Sequence, residues 1–410
     1  MSTPTPRAAL AKGLVFVGGA TMIGNAAAFL LTMIAARILT PDEFGALGAL
    51  LGMLVIISTI AIATQALTAR RVAVVASDAE HAEVEGEAVR LAVLVGSAIF
   101  VAGLVLAWPL GTLFTIPPLA VAAGIASLGF VVVGSAAMGI AQGREEHLRL
   151  SWSFLANQLG RAIGGAIGVL VLHSVIGVGV GVFFGCAVGA FVAYRMVCPG
   201  AWSGQVTRGV ATEFGHVVHA LFVLFTLTNI DVLLARLFLD GDQSGEYSVG
   251  VQLAKIAFFL PGAIVIVLFP KMTAGGHRRA VYVATGLTAL VGLGITVFSL
   301  LFGDLVVRIL GGTQYTELGS EVWLFALEGS AFALVQVLLY ARLATQDRKA
   351  VLAVWAALIV LVVAVVGWRH NTLAEIVTTV VAVSLVLTVA GLIMDRRQGP
   401  SIPVPIESAE

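Results

Sequence analysis

The stretch from Leu91 to Phe114 reads LAVLVGSAIFVAGLVLAWPLGTLF and contains no charged side chain. A helix needs about 20 apolar residues to cross the roughly 30 Å hydrocarbon core of a bilayer, so this stretch predicts a membrane-spanning helix. Similar apolar runs lie on both sides of it along the whole chain. Together they predict twelve spans, at about residues 13–36, 44–67, 91–114, 119–141, 151–172, 175–197, 217–239, 249–269, 281–302, 322–343, 351–368 and 373–394.

Composition agrees with a multi-pass membrane protein. Of the 410 residues, 59% are hydrophobic and only 11% are charged, and the mean hydropathy is +1.03. Soluble domains carry roughly 25% charged residues, so an all-α membrane protein without a second soluble domain is predicted. The 23 basic residues balance 23 acidic ones, which disfavours a nucleic-acid partner. The two cysteines have no metal-site spacing, and the chain lacks the phosphate-loop motif, so no bound cofactor and no ATP hydrolysis are expected.

The distribution of basic residues predicts the orientation. Of the 23, 17 fall in alternate loops on one side, two lie inside spans, and four lie on the opposite side. Lysine and arginine accumulate in cytoplasmic loops, so both termini are predicted to be cytoplasmic. The longest segment between spans, residues 68–90, lies on that side and predicts a surface helix. The four basic residues on the outer side are Arg37, Arg236, Arg308 and Arg369.

The chain also predicts two six-helix lobes. Residues 1–198 would form the first lobe and 214–397 the second, with a cytoplasmic linker at 199–213 and a disordered tail at 398–410. The starts of the two halves share a pattern, since an arginine precedes a glycine by eight positions at Arg37 and by nine at Arg236. Such a pattern fits two parallel repeats related by an axis along the membrane normal.

Glycines recur every four residues in two neighbouring spans. This spacing places them on one face of each helix, where helix backbones can approach closely, so it predicts close helix packing on these faces. The glycines are Gly160, Gly164 and Gly168 in the fifth span and Gly177, Gly181, Gly185 and Gly189 in the sixth.

Three patches occur in a fixed order along the chain. The first reads IAARILTPDEFG at residues 34–45, and the second reads NIDVLLAR at 229–236, followed by GEY at 245–247 and FLPGA at 259–263. The third runs from Gly303-Asp304 to Gly311-Gly312 with Tyr315. Together they resemble the lipid-linked oligosaccharide exporters of the multidrug/oligosaccharidyl-lipid/polysaccharide exporter superfamily. The resemblance implies a two-lobed transporter that alternates between inward-open and outward-open states in a bacterial plasma membrane.

Its implied cargo is an oligosaccharide on a polyprenyl pyrophosphate, flipped from the inner to the outer leaflet for surface polysaccharide biosynthesis. Membrane lipids, a polysaccharide polymerase and glycosyltransferases are candidate partners. Two alternatives stay open at this point. One is a cation-coupled multidrug exporter of the same superfamily, and the other is a membrane glycosyltransferase or ligase, although such enzymes need a longer outer loop.

Ionisable residues inside spans are costly and therefore mark candidate sites. Arg161 lies midway along the fifth span, one turn after Asn157, and is the first candidate for a phosphate contact because a guanidinium binds two oxygens at once. Lys255 is a second candidate for the headgroup. Arg37 and Arg236 end their spans at matching places, where they could contact lipid headgroups, line a rim or gate, or bind the cargo.

The acidic candidates concern ion coupling. Asp231, with Asn229 and Thr228 nearby, could bind a coupling sodium ion, as an acidic residue on this helix does in some members of the resembling family. It could equally pair with Lys255, because both are predicted to lie about 10 Å below the outer surface. Glu328, in the tenth span, could carry a proton or contact Arg161.

Overall fold

The computed structural model describes residues 6–75, 77–198, 206–260, 277–343 and 348–397. Within these ranges every regular element is a helix and no strand occurs, which confirms the all-α prediction. The described residues up to Gly245 form one compact unit, and those from Glu246 onward form a second. The predicted tail at 398–410 and the first part of the predicted linker, 199–205, lie outside the described residues, so the division at 199–213 stays a prediction.

The first unit consists of nine helices and the first turn of a tenth. Their bounds are α1 Pro6–Ile38, α2 Pro41–Ile57, α3 Thr59–Ala73, α4 Asp78–Leu113, α5 Pro118–Gly143, α6 His147–Leu172, α7 Val175–Val197, α8 Arg208–Leu227, α9 Ile230–Phe238 and α10 Gly241–Phe259.

The second unit contains the rest of α10 and six further elements. These are α11 His277–Leu301, α12 Gly303–Leu310, the 3-10 helix η1 Thr313–Ser320, α13 Val322–Leu343, α14 Arg348–Trp368 and α15 Leu373–Arg397.

Most of the predicted spans are present. The described residues contain ten helical segments long and apolar enough to cross a membrane, with α2 and α3 counted together as Pro41–Ala73, and eleven if η1 and α13, bent by 72°, count as one span. The missing one is the predicted eighth span at 249–269, because its second half, including Pro261 and the rest of the FLPGA patch, lies outside the described residues.

Two helix starts in corresponding places are capped by side chains. Before α2, the Thr40 hydroxyl accepts from the Glu43 amide, and the Glu43 carboxylate accepts from the Thr40 amide, which is a capping box. Before α10, the Asp240 carboxylate accepts from the Gln243 amide at 2.8 Å. In both places one residue separates the end of the preceding helix from the capping residue. The turns from α1 to α2 and from α9 to α10 are therefore built in the same way.

Glycines join α6 to α7, as their spacing predicts. A methyl group on Gly160 would collide with the carbonyl oxygen of Gly185, one on Gly164 with that of Gly181, and one on Gly168 with that of Gly177. The antiparallel order of these pairs shows that the two backbones touch over more than two turns.

The predicted seventh span is broken. Helix α8 ends at Leu227 and α9 begins at Ile230, since Asn229 leaves the helical conformation with φ −142°. The Asn229 side-chain amide donates to Phe225 O at 3.0 Å, and the Thr228 hydroxyl lies 3.3 Å from the same oxygen. These side chains compete with helical hydrogen bonding and satisfy a carbonyl at the break.

The acidic segment at 68–90 also differs from its prediction. It is not a separate surface helix, because its residues from Asp78 onward form the start of the 36-residue α4, which continues into the third span. Glu85 and Glu87 are buried there instead of facing water.

In the second unit, close packing joins α10, α11 and α13. Gly250 faces the ring of Phe325, and that ring meets Tyr247 edge-on with centroids 5.0 Å apart. A methyl group on Gly292 of α11 would lie 2.5 Å from the Ser330 hydroxyl of α13. These contacts hold α13, which carries Glu328, in a fixed place.

Candidate functional site

Arg161 lies in the middle of α6, eleven residues or about 17 Å from the helix end at Leu172. Its backbone is held by α7, since a methyl group on Gly185 would lie 3.2 Å from the Arg161 amide nitrogen. The side chain is half-buried, and within the described residues of the first unit it has no hydrogen-bond or ion-pair partner. A permanent cation is therefore held at mid-span without an ion-pair partner from the first unit.

Asn157 lies one turn before Arg161 and is more deeply buried, with 5% of its surface exposed. Its amide points at Gly134 of α5, which has no side chain to fill the space. Neither amide atom has a hydrogen-bond partner within the described ranges, and the same holds for the hydroxyl of Ser153, one turn further back. Ser153, Asn157 and Arg161 thus form a polar stripe along α6, of which the sequence analysis missed Ser153.

Asp231 lies in the first turn of α9, directly after the break in the predicted seventh span, and only 2% of its surface is exposed. The positive end of a helix dipole favours an ionised carboxylate at this place. Asn229 and Thr228 are close by in sequence, and their donor groups are directed to backbone carbonyls of α8. The structure therefore places all three candidates at one break, where irregular backbone exposes polar groups at membrane depth.

Glu328 and Lys255 belong to the second unit. Glu328, on α13, is 1% exposed, whereas Lys255, on α10, is half-buried. Lys255 shares one face of α10 with Ser248 and Gln252, because these residues follow the spacing i, i+4 and i+7. Pairing of Asp231 with Lys255, and of Glu328 with Arg161, stays a prediction.

Arg236, in the last turn of α9, is buried and surrounded by oxygen atoms. Its Nη1 donates to the Asp42 carboxylate at 2.6 Å and to the Asp42 carbonyl at 3.2 Å. Its Nε donates to Phe114 O at 2.9 Å, and its Nη2 donates to Thr115 O at 2.8 Å. We call these four residues the Arg236 cluster. It joins the end of α9 to the start of α2 and to the turn between α4 and α5.

Arg37 is not the structural counterpart of Arg236, although the sequence pattern places them together. It is exposed and donates to Met33 O of its own helix at 2.9 Å. Arg236 does not reach outward to lipid headgroups, because its guanidinium is bound inside the Arg236 cluster. A role in cargo binding stays a prediction for both residues.

A second polar cluster, which sequence reasoning missed, lies at the opposite end of α4. Arg144 binds Glu85 through two hydrogen bonds of 2.7 and 2.6 Å. Glu87 accepts from Arg71 at 2.7 Å and from the backbone amide of Thr207 at 2.8 Å. The available signal was the placement of arginines at the ends of neighbouring spans. The cluster ties the start of α8 to α3, α4 and α5.

Solved structures of similar fold are membrane transporters. The lipid II flippase MurJ, in an inward closed conformation, gives a TM-score of 0.79 at 10% identity over 93% of this chain and 87% of that chain. An inward-facing multidrug resistance MATE family transporter gives 0.71 at 12% identity over 90% and 93%. A transporter from Pyrococcus furiosus gives 0.59 at 15% identity over 94% and 95%. At these identities the likeness shows the fold alone.

Sequence comparison identifies a family for this chain but no individual curated relative. No significant match is found among curated proteins. Residues 10–276, well over half of the chain, match the family of polysaccharide biosynthesis proteins. This range includes the first two patches that carry the resemblance, and the fold agrees with transporters of the multidrug/oligosaccharidyl-lipid/polysaccharide exporter superfamily. The chain therefore belongs to the polysaccharide biosynthesis protein family.

Proposed function

We propose that the protein is an alternating-access flippase that moves a polyprenyl-pyrophosphate-linked oligosaccharide from the inner to the outer leaflet of a bacterial plasma membrane. The cargo would serve surface polysaccharide biosynthesis, and a polysaccharide polymerase and glycosyltransferases are the proposed partners. Family membership supports the polysaccharide context, and the fold it shares with a lipid II flippase supports a lipid-linked cargo. The observation that carries the proposal is Arg161.

Arg161 suits a pyrophosphate because its charge is permanent and its planar guanidinium can bind two phosphate oxygens. Burying a cation without an anion is costly, so an anionic ligand would stabilise this side chain. The unpartnered amide of Asn157, one turn away, offers neutral donors and acceptors beside it. Outward transfer of the headgroup would be favoured by the membrane potential at about 2.3 kcal/mol per charge per 100 mV.

Further basic residues would contact the cargo along its path. Lys255 presents an ammonium group on the polar face of α10, next to Gln252 in the helical spacing. Arg37 is exposed in the present conformation, whereas Arg236 would reach cargo only after leaving the Arg236 cluster. The proposed order of importance is thus Arg161, then Lys255, then the two arginines at the helix ends.

Ion coupling would be carried by the buried acids. Asp231, at the break between α8 and α9, would bind a sodium ion or a proton together with oxygen atoms of Asn229 and Thr228. Glu328, equally buried on α13, would carry a proton. Buried acids in membrane helices are expensive, and such positions usually serve ion or proton pathways.

A second candidate function is a cation-coupled multidrug exporter. It is favoured by the fold shared with multidrug transporters and by the two buried acids, which suit a cationic drug. Arg161 argues against it, because a fixed cation repels a cationic ligand.

Reconstitution into vesicles distinguishes the two functions. The purified protein would be assayed with a fluorescent lipid-linked oligosaccharide, with and without sodium, proton and potential gradients, and in parallel with a cationic dye. We expect flipping of the oligosaccharide lipid and loss of flipping in Arg161→Ala at normal expression. Dye transport without flipping would establish the exporter instead.

Arg149→Ala is the matched control for Arg161→Ala. Arg149 lies on the same helix, is exposed, and pairs with Glu146 at 3.0 Å outside the polar stripe. We expect it to flip at the rate of the unsubstituted protein. Normal flipping by Arg161→Ala would show that Arg161 has no part in the mechanism. The acids are tested separately, since Asp231→Asn and Glu328→Gln should remove the response of flipping to an ion gradient.

A further inference from the structure

We propose that the Arg236 cluster is a latch that closes one end of the first unit and must open for transport. According to the predicted orientation this is the outer end. Its participation in transport rests on the proposed function, whereas the latch itself is a property of residues up to Gly245.

The geometry of the cluster joins three separate segments at one side chain. Every nitrogen of the Arg236 guanidinium donates to an acceptor, and the acceptors belong to α2 and to the residues that follow α4. Phe114 and Thr115 carry carbonyls at the end of a helix, which have no intrahelical donor. One arginine therefore satisfies two orphaned carbonyls and one carboxylate at the same time.

The two helix starts beside the cluster lie close together. A methyl group on Gly45 would lie 2.6 Å from the Ser244 hydroxyl, and one on Gly245 would collide with Pro41 O. Ser244 of α10 thus lies against a part of α2 that carries no side chain. The bonds from Arg236 to Asp42 join α9 to α2 next to this close approach.

Water can replace these contacts when the latch opens. The Asp42 side chain is 57% exposed, while that of Arg236 is 4% exposed. An exposed carboxylate stays hydrated after the pair separates, and the released guanidinium gains hydration, which lowers the cost of opening. A fully buried pair would lack this route.

The break in the predicted seventh span allows α9 to move separately from α8. The far end of α8 is tied by the bond from Thr207 to Glu87 and by Glu213, which pairs with Arg70 at 2.9 Å. Between the two tied ends, Thr228 and Asn229 interrupt the helix. Residues at an element's end that absorb a backbone change are typical hinges.

Cysteine labelling tests the latch directly. Ser244→Cys would be the reporter, because Ser244 is buried against Gly45. Both native cysteines are buried and would be replaced by serine, so that the reporter is the one thiol that can react. The protein in vesicles, without any lipid-linked substrate, would react with a membrane-impermeant maleimide.

We expect slow labelling when the latch is intact and a rate about tenfold higher in Arg236→Ala, corresponding to loss of a charge-assisted hydrogen bond. Arg236→Lys should lie between them, because an ammonium cannot reach all the acceptors. Arg149→Ala, which removes an exposed arginine outside the Arg236 cluster, should label like the unsubstituted reporter. Equal rates for Arg236→Ala and Arg149→Ala would overturn the inference.

Asp42→Asn decides the question if Arg236→Ala does not fold as judged by size-exclusion chromatography. It leaves the carbonyl contacts in place, and we expect labelling about threefold faster, as for a charged hydrogen bond made neutral. An unchanged rate would again contradict the latch. Faster labelling of the variants, together with no flipping by the unsubstituted protein, would support the latch and contradict the proposed function.

Discussion

Helices α1 and α9 end in the same way, but the arginine near each end lies at a different distance from the last helical residue. Helix α1 ends at Ile38 and α2 begins at Pro41, while α9 ends at Phe238 and α10 begins at Gly241. Counted from these ends, Arg37 is one residue from the end of its helix and Arg236 is two.

One residue rotates a helical side chain by about 100°. The position two residues before the helix end faces inward. It is occupied by Ala36 in α1, which is 1% exposed, and by Arg236 in α9, which is 7% exposed. The outward position is Arg37 in the first and Leu237, 39% exposed, in the second. A shift that is hardly visible in the sequence therefore decides whether an arginine faces the surface or closes a contact.

Arg236→Ala should have the largest effect on this comparison. It leaves the carbonyls of Phe114 and Thr115 without their donor, so we expect the free energy of unfolding to fall by about 2–3 kcal/mol. Thermal unfolding in detergent should show a lower midpoint. An unchanged midpoint would mean that the Arg236 cluster contributes nothing.

Moving the arginine by one residue tests the rotation itself. In the double variant Arg236→Ala with Leu237→Arg, the arginine takes the register of Arg37 and points outward. We expect a loss of about 2 kcal/mol, with no rescue by the displaced arginine. Restoration of the original melting midpoint would show that the register does not matter.

Asp42→Asn should have a smaller effect. The carboxylate is 57% exposed, so its attraction for Arg236 is weakened by water, and the asparagine oxygen can still accept. We expect the free energy of unfolding to fall by about 0.5–1 kcal/mol. The difference between the variant and the unsubstituted protein should shrink in high salt, because salt screens an exposed ion pair. A loss as large as that of Arg236→Ala would mean that the ion pair alone accounts for the stability contributed by the Arg236 cluster.

Arg37→Ala should have the smallest effect, within about 0.5 kcal/mol, because the residue is exposed. The same melting experiment measures it. A loss comparable to that of Arg236→Ala would make the two helix ends equivalent after all.

Sequence reasoning reached the features that depend on local pattern. Apolar length located the spans, and the spacing of Gly164 and Gly168 predicted a close backbone approach on that face of α6, because a face of a helix follows from residue spacing alone. It also reached Arg161 and Asp231, since a charge within an apolar run is visible in the sequence. The bond from Arg236 to Asp42 was beyond it, because the partners are separated by 194 positions.

Hydrophobic length and glycine spacing are local properties, so the chain alone was sufficient for the helical class, the membrane location and the close packing of the glycine faces of α6 and α7. The burial of Arg236 and Glu87, and the break at Asn229, depend on which acceptors and donors distant segments bring near. These features arise only when packing removes water from polar groups and each group must find a partner. The tertiary structure thus decided which charges face lipid or water and which hold segments together.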